Sequence, residues 1–222
     1  HINLIYFSGL IVILGVLDDF KNINYKFRIF FILLISYLII LVENVYLINL
    51  GVFFNLSIIN LGIIGIIFTL FSVFALVNAF NFLDGIDGLT SLQSIIILLT
   101  LIFYDYYFSL NNNLEIIIYL IISLAIFFIF NFFASDKFKI FLGDAGSMFL
   151  GFIISWIIIF LSQKESSLPV VLVPWILSYP IFDLISTVII RLNKKKSPFK
   201  PDHLHFHFIL LKQKKMNFKN IN

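Results

Sequence analysis

The sequence contains no cysteine and few charged residues. Without cysteine, its 222 residues can form neither a disulfide framework nor a thiolate metal site. Asp, Glu, Lys and Arg make up only 12% of the chain, whereas soluble domains average about 25%. This excludes a soluble globular domain, and the 61% share of hydrophobic residues excludes a disordered chain, because disorder needs low hydrophobicity. The composition therefore indicates an integral membrane protein.

Seven hydrophobic runs are predicted to cross the bilayer, with bounds given to within a few residues of the ~20 apolar residues that a spanning helix takes. The predicted spans are residues 2–17, 29–42, 62–80, 89–104, 116–133, 147–161 and 169–190. The runs are continuous and do not alternate apolar with polar residues, so they favour helices over the strands of a membrane β-barrel. Residues 45–61 form a shorter amphipathic segment, for which an external hairpin and an interfacial piece remain open. We predict an all-α, polytopic membrane protein with a single transmembrane domain over residues 1–222.

The basic residues predict the orientation of the chain in the membrane. If the loop after the first span lies inside, the inner segments are residues 18–28, 81–88, 134–146 and 191–222. All of the 15 Lys and Arg residues except Lys164 then fall inside. Since short cytoplasmic loops carry an excess of Lys and Arg, we expect these segments, including the basic segment 191–222, to be cytoplasmic. The net charge of +3 thus reflects topology, and we expect no nucleic acid partner.

Acidic residues cluster with glycine or asparagine at the same membrane face. The sequence LDD ends the first span with Asp18 and Asp19. The sequence NAFNFLDGIDGL, residues 78–89, ends the third span, and its polar residues recur every three positions: Asn78, Asn81, Asp84 and Asp87. Gly85 and Gly88 can end a helix or let a ligand approach the backbone. Carboxylate and amide oxygens are ligands that Mg²⁺ prefers, whereas the simpler alternative is a solvated helix end with glycine caps.

A third motif, FLGDAGSMFLG at residues 141–151, leads directly into a span. Gly143, Asp144, Gly146 and Ser147 are small or polar residues at a helix start, where free N–H groups suit phosphate binding. Because Asp144 would repel a phosphate, a bridging cation would reconcile the two. The alternative is structural, with Asp144 or Ser147 capping the helix.

A fourth motif, SPFKPDHLHFHF at residues 197–208, holds His203, His205 and His207. Imidazole groups in a basic loop can donate hydrogen bonds to diphosphate oxygens. Two alternatives remain open: a zinc-type site, for which no fourth ligand is evident nearby, and an amphipathic surface segment. Asp183 stands apart because it lies inside the last span, where an acid is either functional or makes a packing hydrogen bond.

Together, the four motifs resemble the polyprenyl-phosphate N-acetylhexosamine-1-phosphate transferases, an integral membrane family. The resemblance extends through the whole chain in the same order. It is closest to the bacterial undecaprenyl-phosphate N-acetylglucosamine-1-phosphate transferases and more distant to the phospho-N-acetylmuramoyl-pentapeptide transferases. It implies a Mg²⁺-dependent glycosyl-1-phosphate transferase of the glycosyltransferase family 4 type. Such an enzyme moves a sugar-1-phosphate from a UDP-sugar to undecaprenyl or another polyprenyl phosphate and releases UMP, in cell-envelope polysaccharide biosynthesis.

The resemblance also implies roles for individual residues. It implies Mg²⁺ ligation by Asn81 and Asp144, with Mn²⁺ as an alternative ion. Catalytic roles, in positioning substrates, tuning the metal site or accepting a proton, fall to Asp18, Asp19, Asp84 and Asp87. Substrate contacts fall to Asn78, Gly85, Gly143, His205 and His207, of which the two histidines hold the donor diphosphate. The implied partners are a UDP-sugar, a polyprenyl phosphate lipid and the bilayer of the inner (plasma) membrane, with a homodimer as a further option.

The sequence departs from the family pattern in two places. Family members have more spans, so we expect this chain to be a fragment of a ten- or eleven-span bundle, with spans missing at both ends. The family's last inner loop carries a His-x-His-His pattern, whereas here His207 is followed by Phe208.

Two other functions remain alternatives. A membrane transporter would place its ionisable residues near the midplane of the bilayer, which only Asp183 approaches. A CDP-alcohol-type phosphotransferase needs Ala-Arg soon after its first Asp-Gly, whereas Asp84-Gly85 is followed by Ile86-Asp87.

Overall fold

Long apolar helices make up most of the described chain. The structure is a computed structural model and describes residues 2–51, 59–108, 110, 114–135 and 137–195. Its α-helices are α1 (Ile2–Lys21), α2 (Tyr25–Glu43), α3 (Ile64–Leu83), α4 (Leu89–Tyr107), α5 (Glu115–Phe128), α6 (Gly143–Ile159), α7 (Val173–Ile176) and α8 (Ser178–Asn193). Short π-helical segments continue α5 and α6, at Ile129–Phe133 and Phe160–Lys164. The prediction of an all-α chain is confirmed for these residues.

The predicted membrane spans match the long helices. Six of them, α1 to α6 with their π-helical continuations, are long and apolar enough to cross a membrane. The seventh predicted span, residues 169–190, is bent: Val170–Ile176 and Ser178–Asn193 meet at 76°. Pro174 lies at the start of α7 and Pro180 in the first turn of α8. Proline has no N–H group to donate along a helix, so the two pieces begin separately instead of forming one straight span.

The segment between α2 and α3 pairs with itself. Asn49 and Asn60 form an antiparallel bridge, and the Leu61 N–H group donates to the Ile48 carbonyl at 2.8 Å. The segment therefore pairs as a hairpin, whereas its external or interfacial position stays a prediction, and residues 52–58 lie outside the described part. Gln163, in the π-helical end of α6, accepts the Ile48 N–H group at 2.9 Å and so ties the hairpin to the bundle.

Helix α6 is the centre of the bundle and packs between α1 and α3. Most of its side chains are buried. Two glycines allow backbone to touch backbone there: a Cβ atom at Gly15 would lie 2.3 Å from the Ala145 Cα, and one at Gly151 would lie 2.7 Å from the Val77 Cα. These close approaches bring the polar ends of α1, α3 and α6 together.

We expect Gly15→Ala to destabilise the protein, whereas Gly9→Ala on the same helix does not. A methyl group at Gly15 must push α1 away from α6, and such overpacking costs roughly 1–3 kcal/mol. A Cβ at Gly9 meets nothing within 4 Å, so alanine there should be neutral or gain up to about 1 kcal/mol through its better helix propensity. Melting temperatures in detergent micelles measure both effects. Equal melting temperatures for the two variants would show that the α1–α6 approach is not tight.

Candidate active site

The predicted acidic motifs meet at one end of the helix bundle. The ends of α1 and α3 and the starts of α2 and α6 are joined there by side-chain hydrogen bonds. At the opposite end Lys164, predicted to be the exception among the basic residues, pairs with Glu43 at 2.8 Å. The shared face that the sequence predicts for the motifs therefore exists in the folded chain.

Asn81 and Asp144, the two predicted metal ligands, are in direct contact. The Asn81 amide nitrogen donates to Asp144 Oδ1 at 2.6 Å and to Ser147 Oγ at 3.0 Å. Because both bonds use the amide nitrogen, the amide oxygen of Asn81 and the second carboxylate oxygen of Asp144 are the atoms suited to bind a cation. The two residues come from α3 and α6, so the close packing at Gly151 positions the pair.

Asp19 caps helix α6 from the neighbouring helix. Its carboxylate accepts the N–H groups of Asp144 at 2.9 Å and Ala145 at 3.2 Å. The alternative of a cap by Asp144 or Ser147 is wrong, since the residue before the helix is Leu142 and Asp19 supplies the acceptor. Gly143 has a φ of +65°, and a Cβ there would lie 3.0 Å from Asp19 Oδ2. Glycine at this position is thus required for the approach of the carboxylate.

Asp18 is buried and ion-paired. Its carboxylate accepts the Ile23 N–H group at 2.8 Å and the Arg28 guanidinium at 2.8 Å. The same guanidinium nitrogen lies 3.7 Å from Asp144 Oδ2. Arg28 therefore connects the acidic pair of α1 with the predicted metal ligand of α6, although the sequence had suggested only a topological role for it.

Asp84 ends α3 beside the other acids. Helix α3 stops at Leu83, so Asp84 does not continue the helix that carries Asn78 and Asn81. The Gly143 N–H group donates to the Asp84 carboxyl. Burial, reinforced by the negative charges of Asp144 and Asp19, nevertheless raises the pKa of Asp84 from 3.8 to about 7. Carboxyl groups that repel one another in this way form a site in which a cation is favourable.

The remaining residues of the second motif are held differently. Asp87 is buried and forms an ion pair with Lys139. Asn78 donates its amide nitrogen to the Phe74 carbonyl of its own helix at 2.7 Å, and Gly85 lies in the turn between α3 and α4. Substrate contacts by Asn78 and Gly85 stay predictions.

A polar stripe runs along α8. Asp183, Thr187 and Arg191 recur every four residues and are all buried, and α8 packs against α3. The Arg191 guanidinium lies over the Phe82 ring at 5.1 Å. The intramembrane acid singled out from the sequence is therefore part of a buried polar face. His203, His205 and His207 lie outside the described residues, so their roles stay predictions.

The sequence did not predict the side-chain contacts of the basic residues. Arg28, Arg191 and Lys139 were counted only as topological charges, and Asn131, whose side-chain oxygen accepts the Gly88 N–H group, was not singled out. A signal was available for two of them, because Arg28 and Arg191 are the two arginines among 15 basic residues. Arginine is better suited than lysine to buried ion pairs and to stacking on aromatic rings.

The side chains of the site are chemically suited to Mg²⁺. Among the described residues, no group of three His, Cys, Asp or Glu side chains could hold a metal by itself. Asn81 and Asp144 offer one amide and one carboxylate oxygen. Mg²⁺ keeps several waters and is usually bound by one or two carboxylates together with substrate phosphates. The donor set therefore fits this ion and lacks the four protein ligands of a structural zinc site.

Comparison with known proteins identifies the family. Residues 1–162 match the family model of glycosyl transferase family 4. Three relatives share the name undecaprenyl-phosphate alpha-N-acetylglucosaminyl 1-phosphate transferase. The protein of Pasteurella multocida is 38% identical over 107 residues, which are 48% of this chain and 28% of the relative. That of Haemophilus influenzae is 37% identical over 99 residues, 44% of this chain and 26% of the relative.

The third relative, from Escherichia coli K12, is 36% identical over 77 residues, 34% of this chain and 21% of the relative. The matched segments thus span less than a third of the length of these curated relatives. The family match covers well over half of the present chain and includes the acidic pair, the second motif and the start of α6, and it confirms the resemblance drawn from those motifs. The chain belongs to glycosyl transferase family 4.

Proposed function

We propose that this chain belongs to the single transmembrane catalytic domain of a membrane enzyme that transfers a sugar-1-phosphate to undecaprenyl phosphate. The donor is a UDP-sugar, with N-acetylhexosamine-1-phosphate as the group transferred, and UMP is released. The observation that carries this proposal is the convergence of Asp19, Asn81 and Asp144 from three helices at one end of the bundle. The names of the relatives support the lipid acceptor and the sugar.

The reaction exchanges the phosphoanhydride bond of the donor for a new phosphoanhydride bond to the lipid phosphate. A phosphate oxygen of the lipid attacks the phosphorus that carries the sugar, and the bond from that phosphorus to the oxygen of UMP breaks. The lipid phosphate is already largely dianionic at pH 7, since its second pKa is near 6. A strong base is therefore not required, and we favour direct attack over a covalent aspartyl-phosphate intermediate. Positioning and charge stabilisation then supply most of the rate.

The residues of the site divide this work between them. Asn81 and Asp144 would hold Mg²⁺ or Mn²⁺, which would supply positive charge that reduces the repulsion between the phosphates of the two substrates. Asp19 fixes the start of α6 and hence the Asp144 side chain. Arg28 balances Asp18 and lies close enough to Asp144 to attract an incoming phosphate. Catalytic roles for Asp84 and Asp87 are part of this proposal. So are substrate contacts by Asn78, Gly85, Gly143, His205 and His207, of which the two histidines would hold the donor diphosphate.

The direct test is an assay of sugar-phosphate transfer. Purified protein is mixed with undecaprenyl phosphate, Mg²⁺ and radiolabelled UDP-N-acetylglucosamine, and then with UDP-N-acetylgalactosamine. We expect one UMP to be released for each lipid-linked sugar formed, and both products to be absent when EDTA replaces Mg²⁺. Release of UMP without a lipid-linked sugar, or no reaction with either donor, would contradict the proposal.

We further propose that the bundle lies in the inner membrane with its polar end facing the cytoplasm, because UDP-sugars are made in the cytoplasm. The chain has no native cysteine, so single-cysteine variants label cleanly. We expect Ser197→Cys to be protected from a membrane-impermeant maleimide in intact cells and labelled after permeabilisation. Asn112→Cys should be labelled in intact cells. Labelling of both positions from outside would overturn the orientation.

A further inference from the structure

One buried asparagine, which lies outside the turn between α3 and α4, holds this turn by a hydrogen bond. This turn, residues 84–88, carries Asp84 and Asp87. Asn131 is 5% exposed. Its Oδ1 accepts the Gly88 N–H group at 2.5 Å, and its Nδ2 donates to the Ile140 carbonyl at 2.7 Å. A single side chain thus joins the turn to the segment that leads into α6.

A second contact joins the same two segments. Lys139, the residue before Ile140, forms an ion pair with Asp87, and the side chains of both residues are largely buried. Gly88 follows Asp87, so the asparagine and the lysine hold adjacent residues of the turn. We call Asn131 and Lys139 the brace.

The local backbone explains why Asn131 reaches the turn. It lies in the π-helical segment Ile129–Phe133, and such segments are frequent at functional sites. Gly88 has a φ of +76°, and a Cβ there would lie 2.7 Å from the ring of Phe128 and 3.0 Å from that of Phe132. The turn and the π-helical segment are therefore packed closely, with glycine as the contact.

We propose that Asn131 and Lys139 are positioning residues, which set the place of Asp84 and Asp87 relative to Asp144. Gly143, which donates its N–H group to Asp84, lies only three residues after Ile140. A shift of this segment would therefore move both the donor to Asp84 and the first residues of α6. Asn131 is 5% exposed and both of its polar atoms bond to backbone groups, so Asn131 is placed to act through the turn.

This inference rests on the proposed function, and its test includes a measurement that does not need activity. Asn131→Leu keeps the approximate size and removes both hydrogen bonds. We expect faster amide hydrogen exchange in a peptide covering residues 84–91. We also expect kcat for UMP release to fall ~10–100-fold, the loss that is typical when a residue that orients the ligands of a metal site is replaced. The KM for the UDP-sugar should change less.

Matched variants separate positioning from general loss of stability. Asn3→Leu removes an asparagine bond to Glu43 at the other end of the bundle and should change neither exchange of residues 84–91 nor kcat. Lys139→Met should lower kcat in the same way, and Lys139→Arg should restore most of it because the charge returns. If Asn131→Leu does not fold, the kcat values of Lys139→Met and Lys139→Arg test the positioning role instead.

Each outcome bears on the proposal. Unchanged exchange of residues 84–91 in Asn131→Leu would overturn the brace, and faster exchange with wild-type kcat would overturn its positioning role. Equal losses of kcat in Lys139→Met and Lys139→Arg would also overturn the positioning role, because they would show that the ion pair with Asp87 does not determine kcat. If the wild-type protein transferred no sugar phosphate, the function proposed above would fail, whereas the exchange data would still decide whether the brace holds the turn.

Discussion

Asp144→Ala is expected to lower the rate of UMP release by ~10³-fold or more, while the protein remains folded. Asp144 is the carboxylate that receives the Asn81 amide at 2.6 Å, and Arg28 lies 3.7 Å from its other oxygen. Removing one preorganised group that stabilises charge in a transition state commonly costs ~10²–10³-fold, and here the substitution also removes a proposed metal ligand. Steady-state assays at saturating Mg²⁺ measure the loss.

Two companion variants show whether the charge of Asp144 is what matters. Asp144→Asn keeps a side-chain oxygen that can accept the Asn81 amide, so it should fold like the wild type and still be nearly inactive. Asp105→Asn makes the same change in the last turns of α4, at the opposite end of the bundle, and should retain full activity. Near-normal turnover in Asp144→Asn would mean that Asp144 only helps to orient Asn81 and Ser147.

The spans and the motif cluster were predictable because both depend on local sequence. A bilayer requires long apolar runs, and charge is excluded from them, so the ends of the spans and their common face can be determined from composition. The bend before Ser178 was less evident, since the apolar run continues through the prolines. Asn81 and Asp144, which are in contact, were singled out because small and polar residues surround them at span ends, whereas their role as metal ligands comes from the family resemblance and stays a prediction.

The partners of the acids were not predictable. Nothing in the sequence near Asp18 shows that Arg28, ten residues later, turns back to pair with it instead of facing solvent. Asn131 is a single polar residue within an aromatic run, and its π-helical backbone depends on tertiary packing. Which basic residue meets which carboxylate depends on how α1, α2 and α6 are placed together in space, and spacing along the chain does not contain that information.

Arg28→Met is expected to destabilise the protein by roughly 3 kcal/mol. Asp18 is 5% exposed, so the loss of the guanidinium leaves a buried carboxylate with a single remaining hydrogen bond, from Ile23, among the contacts described above. Removing one partner of a buried ion pair typically costs 3–5 kcal/mol, and the low end applies because the Arg28 side chain is 20% exposed. Unfolding in mixed micelles with increasing SDS measures the change.

A double variant tests whether this loss comes from the unpaired carboxylate. Asp18→Asn combined with Arg28→Met removes both charges and keeps an oxygen for the Ile23 N–H group, so it should recover most of the stability that Arg28→Met loses, with a coupling of about 1–3 kcal/mol. Activity should not recover, because the double variant lacks both the Asp18 carboxylate, which is predicted to be catalytic, and the Arg28 guanidinium beside Asp144. Lys26→Met, an exposed basic residue in the same turn of α2, should change stability by less than about 0.5 kcal/mol. If the two single substitutions were simply additive in the double variant, the 2.8 Å contact between Arg28 and Asp18 would contribute no coupling to the fold. Arg28 would then act only on Asp144 and the substrate phosphates.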